Sequence, residues 1–158
     1  MKLLYQNDPG GRMGWSRHGE LLLHVVDEIL VDGYLSTLTV DDSDSFLRRC
    51  LECLRPGGKI TVITKDLRSS AMLLLRGQIE PHQYWSEIAL GFNSYRDAQE
   101  RLTRGEPAPY KSCYDADMLF AALIKAGFIG VCPIDIMTHP YLISRVPTQI
   151  GMEAVRPL

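Results

Sequence analysis

The sequence predicts an α/β domain in which a Rossmann-like, mostly parallel sheet carries helices on both faces, with a shortened N-terminus and an antiparallel C-terminal edge pair. Three observations predict it. Residues 25–33 form a short aliphatic and β-branched run closed by glycine, which reads as a buried strand. Phe46, Leu47, Cys50, Leu51 and Leu54 then recur at helical spacing behind the acidic stretch Asp41-Asp42-Ser43-Asp44, which offers N-cap oxygens and a negative first turn. After Pro56-Gly57-Gly58, residues 59–64 form a second β-rich run. Strand, helix, turn and strand in this order imply a right-handed crossover between parallel strands.

The remaining elements follow the same logic. Residues 43–54 are the predicted crossover helix, and Pro56-Gly57-Gly58 is expected to stop it and turn the chain. The middle of the chain is helical by pattern: residues 67–78, then a helix led by Pro81 and running to Gly91, then residues 94–103. Met72-Leu73-Leu74-Leu75 is expected to bury one helix side and to contact another subunit. Residues 104–112, with Gly105, Pro107 and Pro109, read as a loop able to move. Asp115 is a suitable N-cap and Gly127 a suitable left-handed C-cap for the apolar helix between them. Residues 128–136 and 141–146 are predicted as strands, joined through Met137-Thr138-His139-Pro140 as an antiparallel pair.

Bulk properties narrow the function. A chain of 158 residues with 46% apolar composition suits one domain with one core. A net charge of −2, with both signs interspersed, provides no electrostatic footprint for a phosphate backbone, so no nucleic-acid partner is expected. No apolar run approaches the ~20 residues of a membrane helix, and the first residues turn polar too soon for a secretory signal. The expectation is a cytoplasmic protein with reduced thiols. Cys50 and Cys53 form a C-x-x-C inside the crossover helix, but a structural zinc needs four ligands and no second close pair exists, so packing accounts for them and no metal is expected. His18, His24, His82 and His139 show no metal spacing, and Trp15, Trp85, Tyr84, Phe92, Tyr95 and Tyr110 read most simply as packing of the middle helices, with the lining of a pocket or an interface as the alternative.

Residues 46–60, in which a helix ends in Leu-Arg-Pro-Gly-Gly before a strand, resemble the class I S-adenosylmethionine-dependent methyltransferase family. Residues 114–128, ending in Ala-Gly-Phe, are similar to that family's late helix, and Val26-Asp27-Glu28-Ile29 to its fourth strand. The resemblance implies an S-adenosylmethionine site at the carboxyl ends of the first strands, on a glycine loop, with an acid on the ribose hydroxyls. Lys2-Leu3-Leu4-Tyr5 is the candidate for the first strand, and Asp8, Gly10 and Gly11 are the candidates for the loop behind it. Asp32, Gly33 and Tyr34, at the end of the matched fourth strand, occupy the place where the family contacts the substrate or the methionine end of the cofactor. The family's Gly-x-Gly pattern and ribose-binding acid have no recognisable counterpart, and the span between Tyr5 and Val26 has room for one short helix but not for two more strands. Two functions are therefore expected: a methyltransferase-like protein with a small-molecule partner, or a non-catalytic protein that keeps the fold and joins a homo-oligomer or larger assembly. No catalytic residue is assigned.

Overall fold

The computed structural model describes residues 2–6, 23–136 and 148–158. One five-stranded sheet organises them, in the order β1-β2-β3-β5-β4. Strands β1 (Lys2–Gln6), β2 (Val26–Asp32) and β3 (Leu54–Lys65) run parallel, with Leu3 opposite Ile29 and Ile29 opposite Ile60. Strand β5 (Gln149–Val155) lies antiparallel between β3 and the edge strand β4 (Ile129–Pro133). The parallel pairing of β2 with β3 and the antiparallel edge are as the sequence predicts. The second strand of that edge is Gln149–Val155, which the sequence reading did not place; the proposed strand at 141–146 and the link at 137–140 lie outside the described residues.

The crossover from β2 to β3 is made by a 3₁₀ turn (Leu35–Thr37) and helix α1 (Val40–Cys53). The helix starts three residues earlier than the acidic stretch suggests, because Thr39 is the N-cap. Its Oγ1 accepts from the Asp42 amide at 3.2 Å and donates to the Asp42 carboxylate at 2.7 Å. The Thr39 hydroxyl thus satisfies the free amide of Asp42 in the first turn and is itself held by the Asp42 carboxylate, which fixes the start of the helix ahead of the later aspartates. The other end also differs from expectation. Pro56-Gly57-Gly58 does not separate helix from strand, since Leu54 already has extended dihedrals; the three residues bulge out of the β3 ladder, between the pairs Val26–Leu54 and Glu28–Lys59. Arg156 fastens the junction from the far end of the chain, its Nη1 donating to the carbonyls of Leu51, Glu52 and Leu54 and lying 2.6 Å from His24 Nδ1.

Strand alternation divides the core. One face of the sheet, with Ile29, Val31, Ile60, Val62 and Ala154, packs under α1 and helix α5 (Ala116–Ala126), which contribute Phe46, Leu47, Cys50, Leu119 and Leu123. Cys50 and Cys53 are buried here as free thiols, and burial pushes the Cys50 thiol well above the usual range. Among the described residues, no group of three or more His, Cys, Asp or Glu side chains is placed to hold a metal, and no helix is long and apolar enough to cross a membrane. The other face carries Leu30 and Ile63, covered by Ile134 and Ile136. Helix α5 has both predicted caps: the Asp115 carboxylate accepts from Met118 N, and Gly127 is left-handed at φ 104°.

Beyond β3 the chain runs through α2 (Leu67–Leu75), the short α3 (Pro81–Gln83), a π-helical turn (Tyr84–Ala89) and α4 (Tyr95–Thr103). Helix α2 ends at Leu75, short of the predicted Gln78. The chain turns left-handed at Gly77, whose amide donates to Leu74 O. The apolar run on α2 is not buried as expected: Met72 is 44% and Leu75 80% exposed, whereas the small Ser70 faces inward and donates to Asp66 O. Trp85 and Tyr95 pair edge to face at 6.0 Å but remain partly exposed, and of the middle aromatics only Phe92 is buried.

Candidate functional site

In open α/β sheets ligands bind outside the carboxyl ends of the strands, because backbone amides and diverging loops leave a crevice there. In this chain β2 reaches that edge at Asp32 and β3 at Lys65. Asp32 is half-buried and opposite Ile63, and burial raises its carboxyl above the usual range. No hydrogen bond or ion pair among the described residues engages its carboxylate. Gly33 follows at φ 68°, a left-handed conformation that a side chain would strain, and its amide donates to Ile63 O at 2.8 Å. The Tyr34 ring packs against Phe46, with centroids 5.2 Å apart, and belongs to the periphery of the main core. The sequence reading grouped Asp32, Gly33 and Tyr34; the fold puts Asp32 and Gly33 at the strand end and turns the Tyr34 ring onto α1. Asp8, Gly10 and Gly11 lie outside the described residues.

Next to this edge is a cleft of about 580 Å³ that no sequence motif marked. Thr37 of the 3₁₀ turn, Lys65 of β3, Glu87 of the π-helical turn, Phe92, Arg101 of α4 and Tyr110 line it. Several local features hold these side chains together. Ser36 Oγ and Thr64 Oγ1 lie 2.7 Å apart in a buried hydrogen bond that ties the 3₁₀ turn to the end of β3. Ser36 O also accepts from the amides of Lys111 and Ser112, Leu90 O accepts from Tyr110 N, and Leu35 O accepts from Ser112 Oγ. The loop at 104–112, read from sequence as able to move, is thus fastened to two neighbouring segments at its C-terminal end.

The π-helical turn brings in Glu87. Its wide i to i+5 bond, from Leu90 N to Trp85 O at 3.2 Å, inserts a residue into the helical ladder, a distortion that occurs frequently at functional sites. Gly91 then bends the chain at φ 77°, and a Cβ there would come within 2.6 Å of the Tyr110 ring, so only glycine admits the ring at this wall of the cleft.

Charge in the cleft is unevenly committed. Arg101 is held by Glu106 at 2.7 Å and lies 5.2 Å over the Phe92 ring. Lys65 has no carboxylate within ion-pair distance among the described residues, and burial pushes its ammonium below the usual lysine range while Glu87 opposes that shift. Half-buried, unpaired charges at a strand end are the groups a ligand of opposite sign would neutralise. Phe92 and Tyr110 are among the aromatic residues that the sequence offers for packing or for a pocket, whereas Thr37, Lys65, Glu87 and Arg101 come from segments distant in the chain and carry no motif.

No protein-family model matches the sequence, and no curated protein matches it. Solved structures do. A possible exported protein from Bordetella parapertussis is 18% identical, with 86% of this chain and 40% of that one covered at a TM-score of 0.55. PigF with SAH is 14% identical, covering 87% and 32% at 0.51, and a SAM-dependent methyltransferase from Archaeoglobus fulgidus is 12% identical, covering 85% and 61% at 0.50. The chain spans less than two thirds of the length of each. Identities this low speak for the fold and leave chemistry to the site. Together with the strand order and the antiparallel edge, they show that the chain has a class I S-adenosylmethionine methyltransferase-like fold.

Proposed function

We propose that this chain is a methyltransferase-like protein that takes S-adenosylmethionine at the carboxyl ends of β1 and β2 and a methyl acceptor in the neighbouring cleft beyond β3. The observation that carries the reading is Asp32: a half-buried carboxylate at the strand end, with raised pKa and no partner among the described residues. Such a group suits a ligand ammonium, as in the amino-acid end of the cofactor, and Gly33 keeps the adjoining backbone open to close approach. Asp8, Gly10 and Gly11 are assigned to the loop that would continue the site. When bound, the cofactor supplies an already activated methyl sulfonium, so the protein's part is to bind, align and exclude water. The cleft walls described above serve that alignment, and no general base is required of them. Free thiols at Cys50, Cys53, Cys113 and Cys132 support a cytoplasmic location.

A second reading has its own support. Among the described residues β1 has one strand neighbour, β2, and α2 presents exposed Met72 and Leu75; an open sheet edge and an apolar helix face favour a non-catalytic member of a protein assembly. Calorimetric titration with S-adenosylhomocysteine separates the two. The first reading expects a Kd tighter than about 100 μM, roughly −5.5 kcal/mol. Absence of both heat and thermal shift at millimolar ligand overturns it in favour of the second.

A further inference from the structure

Lys65 is the cation of the cleft that no direct ion pair holds among the described residues, although Glu87 favours its charged form from across the same space. Arg101 is occupied by Glu106 and by the Phe92 ring, and Lys111 is exposed at the rim, whereas Lys65 is half-buried at the end of β3 without an ion-pair partner among the described residues. A desolvated ammonium of this kind recovers its lost hydration when an anion pairs with it. Two further features limit which anion. The wall formed by Pro107, Ala108, Pro109 and Tyr110 offers proline, alanine and ring surface, is held at Tyr110 N by Leu90 O and is followed by Lys111 and Ser112 bound to Ser36 O, which suits a compact organic body. Glu87, presented by the π-helical turn, sets one negative charge in the same space and disfavours a ligand with a second anionic group.

We propose that the cleft binds a small organic monocarboxylate, its carboxylate paired with Lys65 and its body against the 107–110 wall, with Glu87 selecting against dianionic analogues. The proposal deepens the reading of this cleft as the acceptor site and rests on it for the identity of the acceptor, but the binding itself needs no methyl donor.

Calorimetric titration of the full chain at pH 7 with three probes tests it: 4-hydroxybenzoate, the neutral 4-hydroxybenzyl alcohol and the dianionic terephthalate. The monocarboxylate is expected to bind at least tenfold more tightly than either of the others. Lys65→Met should erase this preference and Lys65→Arg should retain most of it. Removing a half-buried cation relieves a desolvation cost, so Lys65→Met is expected to melt no lower than the parent, and the three-probe series on the parent stands whether or not the variant folds. Equal binding of the three probes, no binding of any up to about 10 mM, or an unchanged preference in a folded Lys65→Met would overturn the proposal. S-adenosylhomocysteine titrated in parallel keeps the two ideas apart. Lys65-dependent carboxylate binding without S-adenosylhomocysteine binding upholds the carboxylate site and removes the methyl-donor reading; the converse result removes the carboxylate site alone.

Discussion

Asp32 shows how a single residue reports on its surroundings. Its position before Gly33 at the end of a β-branched run was legible in sequence, since strand patterning and a closing glycine are local signals. What sequence could not supply was its isolation, which depends on neighbours from β3 and beyond. Burial raises the Asp32 carboxyl above its ordinary value, so the folded state holds the proton more tightly than the unfolded chain does. The ionised form therefore costs stability at neutral pH, and the cost disappears as pH falls below the unfolded-state value of about 3.9. Asp32→Asn is expected to raise the melting temperature by a few degrees at pH 7 and to give no gain near pH 3.5, while abolishing S-adenosylhomocysteine binding. Thermal denaturation at both pH values checks the first part; a lower melting temperature at pH 7 would mean that the carboxylate is satisfied in the fold. Tyr34 illustrates the opposite case. Its proximity in sequence to Asp32 suggested a shared role, yet the chain leaves the extended conformation at Gly33, with φ 68°, and Tyr34 enters the 3₁₀ turn with its ring on Phe46.

Elements whose ends are set by local chemistry were the ones read correctly. Helix α5 has its cap at Asp115 and its left-handed stop at Gly127 within the sequence itself. Helix α1 is legible in the sequence except for its start, because Asp41, Asp42, Ser43 and Asp44 all offer capping oxygens and only the folded chain selects the Thr39 hydroxyl. Thr39→Ala should cost about 1 kcal/mol in urea unfolding, whereas Asp44→Ala should leave that N-terminus intact. Strand β5 escaped detection for a packing reason. It carries Gly151 and Ala154 where bulkier strand formers are usual, and a Cβ on Gly151 would lie 2.7 Å from Ile134 Cγ1 and 2.8 Å from Ile136 Cγ2. Close packing against β5 thus removed the β-branched signal that marks a strand. Gly151→Val is expected to destabilise the chain by about 1–3 kcal/mol through overpacking of that face, read as a lower urea midpoint at unchanged slope.

At the scale of the whole molecule, the parallel trio β1-β2-β3 and the antiparallel pair beside it give the sheet one edge at which strand ends, the 3₁₀ turn and the π-helical turn converge. This convergence is what the sequence concealed. Thr37, Lys65, Glu87, Arg101 and Tyr110 meet only after the crossover has closed and the 104–112 loop has been fastened to Ser36. Long-range order of that kind leaves no trace in periodicity. The central claim is that ligands of this protein gather at the carboxyl edge of β2 and β3. It is tested most directly by backbone amide NMR of the labelled chain titrated with S-adenosylhomocysteine and then with 4-hydroxybenzoate. The account predicts shifts at Asp32 and Gly33 with the first ligand and at Thr37, Lys65 and Tyr110 with the second. Shifts confined to the opposite edge, around Val26 and Gly58, or spectra unchanged at millimolar concentrations of both, would contradict it.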